Sequence, residues 1–351
     1  MSNDFSLQLR SPYLIFMGDV DINPYAKTGL GIVKWCPELV AGQLRFAGNT
    51  LDLGVPELTI QQAADFGVNS IVVGVAPIGG NINDRWVAVL VEAAKFGLDI
   101  ISGLHVRLED FPSLVSAANN SGAQLISVRT PPAGLPIGNG KKRSGQRVLM
   151  VGTDCAVGKK YTALSLTKSL NKLGVKATFR ATGQTGIMIA GNGIPIDAVV
   201  SDFVSGAAEL ISPPNHPDHW DVIEGQGSLF NPSYAGVSLG LLHGSQPDAF
   251  VVCHDATRTV IDSCPHILLP TISECIDLHV RCGKQTNQDI ACIGISVNTS
   301  GLPVDQGEAY LRNLSDQTGL ICIDSVIDSC DPIAEYLVSK FGSNKHNEGN
   351  H

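Results

Sequence analysis

Residues 148–160 read VLMVGTDCAVGKK, and this stretch decides the fold. The apolar run Val148 to Val151 empties into a glycine-rich turn ending in Gly158-Lys159, and helical spacing follows through Leu164, Leu166, Leu170 and Leu173. Strand, turn and helix in that order make a phosphate-holding loop. Consecutive backbone N–H groups point inward, the helix presents its positive end, and the lysine adds a full charge. Gly152, Thr153, Asp154, Gly158, Lys159, Lys160 and Thr162 are the residues expected to bind the donor. The loop departs from the common form twice. Five residues, Thr153 to Val157, precede Gly158-Lys159 where four are usual, and Lys160 stands where a Ser or Thr hydroxyl would reach magnesium. The nearest hydroxyl downstream is Thr162. Phosphate binding is therefore the main expectation and magnesium-dependent ATP hydrolysis the lesser one. The alternative is a plain strand–helix turn with Lys159 in solvent.

Downstream, Lys176 to Ala181 reads as a strand carrying Arg180 toward its end and entering the turn Thr182-Gly-Gln-Thr-Gly186. A helix over 197–211 carries Asp202 and stops at Pro213-Pro214. Asp221 to Glu224 is a short strand entering Gly225-Gln-Gly-Ser228, a helix covers 234–243, and Ala249 to Cys253 is a strand with His254, Asp255 and Arg258 beyond it. Ile290–Val297 and Leu320–Asp324 are further strands, with helices near 305–317 and 331–340. Ligands of parallel sheets sit beyond the carboxyl ends of strands, and the loop, Arg180, Glu224 and His254 all lie at such ends.

Upstream, the first ten residues read as a loose tail. Strands at Tyr13–Met17, Ser70–Ala76, Leu98–Ile101 and Gln124–Val128 alternate with helices at 84–96 and 108–118. Pro77 to Gly80 is a turn. Asn23 to Lys34, with Lys27, Thr28, Gly29 and Gly31, is either a second polar loop over a ligand or an irregular crossing. Residues 129–146 hold seven Pro or Gly among eighteen, which marks a boundary. Lys141-Lys142-Arg143 within it reads as a solvated face, with approach to bound phosphates as the lesser alternative. The expectation is an α/β protein of two domains: a Rossmann-like one at 12–130, a linker at 131–145, a P-loop NTPase-like parallel-sheet domain at 146–341 and a disordered tail at 342–351.

Apolar residues make up 44% and charged residues 16% of the 351, a composition that supports compact cores. A net charge of −9 argues against a nucleic-acid surface. Nine scattered cysteines without a CxxC pair, and no basic leader or long apolar run, point to a reducing cytoplasm and no membrane segment. A homo-oligomer is expected from the general habit of such enzymes.

Glu224, at a strand end flanked by glycine, is either a functional acid or base or a structural carboxylate. Asp154 is either a ligand contact or a brace for its loop. Gln184, Thr185, Gln226, Ser228 and His254 are the expected substrate contacts. His216 and His219 invite a zinc reading, but Pro217 interrupts a helix and no third soft ligand has suitable spacing, so no metal is assigned. His254 and Asp255, being adjacent, are not expected to face each other. Cys155 sits where helix-end amides lower a thiol pKa, with nucleophilic use as a minority reading.

GTDCAVGKK, GQTG, WDVIEGQGSL and LGLLHGSQPDAFVVCHDATR together resemble a bacterial and archaeal P-loop family, long without a function, that includes D-glutamate N-acetyltransferase. The loop and the VIEGQG segment are also distantly similar to dethiobiotin synthetase. The resemblance spans about residues 12–341. It implies acetyl transfer from acetyl-CoA to the amino group of a small acidic amino acid, D-glutamate being the characterised case. It also implies phosphate contacts from Gly152, Gly158 and Lys159, and the second motif's acid at Glu224. Lys160, Tyr161 and Asn231 stand where that family commonly has Met, Thr and His. The wider superfamily leaves an ATP- and magnesium-dependent ligase or kinase-like reaction on a carboxylated metabolite as the alternative, and a non-catalytic nucleotide or CoA sensor as another. For acetyl transfer, Glu224 is the expected general base, its pKa raised by burial or by Asp202, with Arg180 or Arg258 receiving the acceptor's carboxylate.

Overall fold

The computed structural model describes residues 7, 9–22, 25–76 and 80–342. Of the tail expected at 342–351, Gly342 ends the last helix and residues 343–351 lie outside the described residues, as do the first six residues and Pro77 to Gly79 of the expected turn. The chain divides into two compact units. One runs to Pro132 and includes Gly183–Ala198; the other comprises Ala133–Thr182 and everything from Val199 onward.

The first unit holds β1 (Tyr13–Gly18), α1 (Lys27–Trp35), β2 (Val40–Arg45), α2 (Ile60–Asp65), β3 (Ser70–Val73), α3 (Asp84–Lys95), β4 (Asp99–Ser102), α4 (Pro112–Ser121) and β5 (Leu125–Ser127). The strands form one parallel sheet in the order β2-β1-β3-β4-β5. This is a doubly wound arrangement whose order reverses beside β1. All six residues of β1 are buried, as a strand covered on both faces requires. Of the stretch expected as a polar loop or crossing, Asn23 and Pro24 lie outside the described residues, and Lys27 to Lys34 belong to helix α1. A Cβ on Gly29 would stand 3.1 Å from the side chains of Ile15 and Met17, so the glycine lets this helix lie directly on β1. Arg10 is not loose: its guanidinium holds buried Asp99 through two hydrogen bonds of 2.5 Å. A later helix, Gln184–Ala190, also belongs here, its Thr185 hydroxyl 3.0 Å from that of Thr28.

The second unit contains β6 (Gln146–Gly152), α5 (Lys159–Lys172) and β7 (Ala177–Arg180); the Gln184–Ala190 helix of the first unit is α6. There follow α7 (Val204–Ile211), β8 (Trp220–Ile223), α8 (Ala235–Ser245), β9 (Ala249–Asp255), β10 (Val260–Ile261), β11 (Cys264–Leu268), α9 (Ile272–Gly283), β12 (Ala291–Asn298), α10 (Val304–Thr318), β13 (Cys322–Ile323) and α11 (Asp331–Gly342). Six strands pair in parallel as β13-β12-β9-β6-β8-β7, and β10–β11 is a separate antiparallel hairpin. From β6 the chain goes first to the edge strand β7, comes back to place β8 between β7 and β6, and then crosses to β6's other side with β9. The reversal therefore falls at the carboxyl end of β6, where α/β sheets place ligands. Val148, Met150, Val222, Val251 and Ile293 fill the core beneath α5 and α11.

The helix expected over 197–211 is shorter. Two 3-10 turns, Ile196–Ala198 and Ser201–Phe203, precede α7. The basic run at 141–143 is not a solvated face throughout. Arg143 is half-buried and donates to the carbonyl oxygens of Ser212, Gly244 and Ser245 and to the Gln246 side chain, at the carboxyl ends of α7 and α8. Those ends carry unpaired carbonyls and a partial negative charge, which a guanidinium satisfies together. Burial, then the neighbouring Arg147, lower its pKa to about 10.

Candidate active site

The loop between β6 and α5 closes around a buried lysine. Gly158, with φ of 101°, turns the chain into α5, whose first turn has no side-chain cap. Lys159 is 7% exposed, and its Nζ donates to the Asp154 carbonyl at 2.7 Å. Among the described residues it makes no ion pair. Burial pushes its pKa down, because an ammonium out of water needs an anion. Gly225, just past β8, closes the other side: a Cβ there would stand 1.6 Å from the Met150 carbonyl oxygen and 3.0 Å from Lys159 Cδ. Any larger residue at 225 would collide with the β6 backbone at Met150 and press on the lysine stem.

Asp154 braces the loop. Its Oδ1 accepts from Asn231 Nδ2 at 3.1 Å, and its Oδ2 accepts from Arg258 Nη1 at 2.9 Å and from the Asp262 N–H at 2.6 Å. Burial works against its charge, but these bonds together hold its pKa below the ordinary value. Arg258 also donates to the Cys155 carbonyl at 2.7 Å, so the segment leading into the β10–β11 hairpin clasps the loop from outside. Cys155 corrects the thiol expectation: burial, outweighing the lysine charge, pushes it up to about 11 and leaves it protonated.

A second clasp comes from β9 and α10. Thr153 Oγ1 lies 3.0 Å from His254 Nδ1, and His254 Nε2 lies 3.0 Å from Tyr310 Oη, with the two rings stacked. Burial first, and Arg258 after it, lower the His254 pKa, so the imidazole stays neutral and donates through one nitrogen while accepting through the other. Ser228 Oγ donates to the Thr153 carbonyl at 3.1 Å. Asp255, as expected, turns elsewhere, to Thr257 and Asn298. Tyr310 escaped the sequence reading. It lies far along the chain, on a helix whose spacing speaks only of amphipathicity.

Glu224 is 5% exposed at the end of β8. Its Oε2 accepts the Thr182 N–H at 2.9 Å, its carbonyl accepts the Thr182 hydroxyl at 2.7 Å, and Gln226 Nε2 reaches that same hydroxyl at 3.0 Å. The carboxylate is thus oriented by the chain leaving β7.

The structure departs from the other expected residues in distinct ways. Arg180 is held by buried Asp221, with both Nε and Nη2 at 2.8 Å from one oxygen, so its charge already has a carboxylate. Asp202 is exposed on its 3-10 turn. Thr162 points into the core, 2.8 Å from Ser296 Oγ and 2.9 Å from Ser325 Oγ. Gln184 and Thr185 belong to the first unit, where Gln184 accepts from Arg129 at 3.1 Å. Lys160 is half-buried, its ammonium 4.7 Å from the centre of the Tyr161 ring. His216 pairs with Asp218 and is exposed, whereas His219 is mostly buried beside Asp221, so the two do not share a ligand. Around the loop the fold therefore gathers Thr153, Asp154, Lys159, Glu224, Gln226, Ser228, His254 and Arg258.

Two family models match the chain, one for a Rossmann-like domain of unknown function (DUF1611_N) over residues 44–131 and one for a P-loop domain of unknown function (DUF1611_C) over 136–334. A D-glutamate N-acetyltransferase from a Pseudoalteromonas species is 44% identical over 331 residues, covering 94% of this chain and all of that protein. Another, from Tritonibacter scottomollicae, is 45% identical over 316 residues, 90% of this chain and 95% of its own. The crystal structure of a DUF1611 family protein from Anabaena variabilis is similar with a TM-score of 0.85 at 29% identity, covering 94% of this chain and 100% of that one. With a Rossmann-like unit, a P-loop unit and relatives matched along nearly its whole length, the chain belongs to the DUF1611 family.

Proposed function

We propose that this protein is an N-acetyltransferase that moves the acetyl group of acetyl-CoA to the amino group of a small acidic amino acid, D-glutamate first among them. The observation that carries the reading is the 44% identity along the full length of a D-glutamate N-acetyltransferase. The site's chemistry is consistent with it. A buried ammonium with no ion pair among the described residues suits the diphosphate of a CoA donor, and the amides at the start of α5 supply further donors. Acetyl-CoA, when bound, supplies an activated thioester.

The protein's own task is to make the acceptor a nucleophile. An amino acid arrives as an ammonium, which has no lone pair, so a base within hydrogen-bond reach has to take a proton. Glu224 is our choice: the Thr182 N–H fixes one oxygen and turns the carboxylate to a defined position. Arg258 and the amides of 225–227 are the groups we assign to the acceptor's charge and to the developing oxyanion. Arg180 is left out of this assignment because two of its nitrogens already hold Asp221, whereas Arg258, among the described residues, gives only Nη1 to Asp154 and the Cys155 carbonyl. The protein works in the cytoplasm on this reading; all nine cysteines are free, and no helix among the described residues is long and apolar enough to cross a membrane.

The test is acetyl-CoA consumption with D- and L-glutamate and D- and L-aspartate, in wild type and Glu224→Gln, from neutral to alkaline pH, with donor binding titrated separately. D-glutamate should be the best acceptor. Glu224→Gln should bind donor nearly normally, lose on the order of 100-fold or more in turnover, and recover in part as pH rises and free amine accumulates. Normal turnover by Glu224→Gln at neutral pH excludes it as base. Absence of any acetylated acceptor with wild type removes the acetyltransferase reading.

A further inference from the structure

In a phosphate-holding loop that uses a divalent cation, the hydroxyl after the loop lysine grips the ion, which in turn offsets the phosphates' charge. Here that position is Lys160. The next hydroxyl along α5, Thr162, is fully buried and held by Gly158, Ser296 and Ser325. The Thr153 hydroxyl is bound to His254. Both oxygens of Asp154 are occupied, by Asn231 on one side and by Arg258 and the Asp262 N–H on the other. The hydroxyls of Thr153 and Thr162 and both carboxylate oxygens of Asp154 are thus engaged within the protein.

Positive charge is what the loop has instead. Lys159 is buried with no ion pair among the described residues, and Lys160 follows it at the start of α5, its ammonium 4.7 Å from the centre of the Tyr161 ring. The proposed reaction also differs in its needs. Acetyl transfer breaks the thioester C–S bond and forms a C–N bond, so no P–O bond breaks and no new charge develops on the diphosphate. A fixed cation that offsets a constant charge is sufficient for that role, whereas phosphoryl transfer requires one that follows changing charge.

We infer that Lys160 takes the part of the divalent cation in this loop: its ammonium offsets the charge of the donor's diphosphate, and acetyl-CoA binds without metal. The inference rests on the acetyl-CoA reading above and adds to it the residue and the charge that replace magnesium.

Calorimetric titration of the full-length protein with acetyl-CoA, once in EDTA and once in excess magnesium, tests it for wild type, Lys160→Met and Lys160→Arg. Wild type should bind equally in both buffers. Lys160→Met should bind about tenfold more weakly in both, the loss of one charge-assisted contact, while Lys160→Arg stays close to wild type. A wild type that loses affinity in EDTA overturns the inference, as does a Lys160→Met variant that matches wild type. Equal losses in the Met and Arg variants also overturn it, because they make the effect one of shape. Failure of wild type to bind acetyl-CoA under either condition is a different result, and it removes the donor reading itself.

Discussion

Asp154 gathers a guanidinium, a carboxamide and a backbone N–H onto two oxygens, and in doing so ties β10 and the β8–α8 connection to the loop. Its pKa is held below the ordinary value, so the stabilisation it gives is present above the usual aspartate pKa of about 3.9 and is lost as pH falls toward the lower folded value. Asp154→Asn keeps the shape but leaves Arg258 without its partner. The variant should be less stable by about 2 kcal/mol near neutrality, partial exposure of Arg258 keeping the cost below that of a fully buried pair. That gap should be constant through neutral pH and narrow below about pH 4. Urea unfolding of both proteins across that range checks it, and a gap that persists undiminished in acid would show that charge is not its source. At this scale the sequence was legible where chemistry is local. GTDCAVGKK announces its own backbone, and the place of Lys159 at the head of α5, within a few residues. Whether Asp154 was ligand or brace depended on Arg258, Asn231 and Asp262, which only the fold brings to it.

Among elements, the strands buried on both faces were readable. Val148–Val151 and Ala249–Cys253 are unbroken apolar runs, and Ile290–Val297 is interrupted only by Gly294 and Ser296, because helices cover both sides of their sheet. Elements whose sequences carry a second duty were not. α1 includes Gly29, a poor helix former kept for its contact with β1, and so it read as loop. β2 lies at a sheet edge with only two of its six residues buried, and the hairpin β10–β11 is too short and mixed to show a period. Arg143 is the clearest case of a role invisible in local pattern, for the two helix ends it holds are 69 and 101 residues downstream. Arg143→Met should lower stability by about 2–4 kcal/mol, since several buried carbonyls lose a charged donor at once. Amide exchange should quicken first in the last turns of α7 and α8. Exchange unchanged at both ends would mean that water replaces the guanidinium without loss.

For the whole molecule, the two-part α/β plan followed from strand–helix alternation on either side of the Pro/Gly-rich segment. The path of the chain did not, because nothing in GQTG says that the helix beginning there serves the earlier sheet. Residues 183–198 leave the second unit after β7, complete the first, and return. In α6, Ile187 and Met188 are 1% and 4% exposed, and Met188 and Gln184 lie against Gly103. A fragment beginning at Ala133 should therefore fold around β6 with 183–198 lacking its partner surface. Limited proteolysis should cut that fragment within 183–198 while leaving the same stretch of the full chain intact. Equal resistance in both would show that the segment needs no first unit.

The same detour sets an order of events at the ribosome. The first unit's strands are all made by Ser127, yet the helix that finishes it appears only after residues 133–182 have been added. At ~5–20 residues per second that is a wait of roughly 3–10 seconds. During it the surface awaiting α6, including Thr28 and Gly103, is open while the phosphate-holding loop of the second unit is already emerging. The nascent chain thus cannot finish one unit before starting the other, and slowing of translation between 133 and 182 lengthens the interval in which an apolar face stands uncovered.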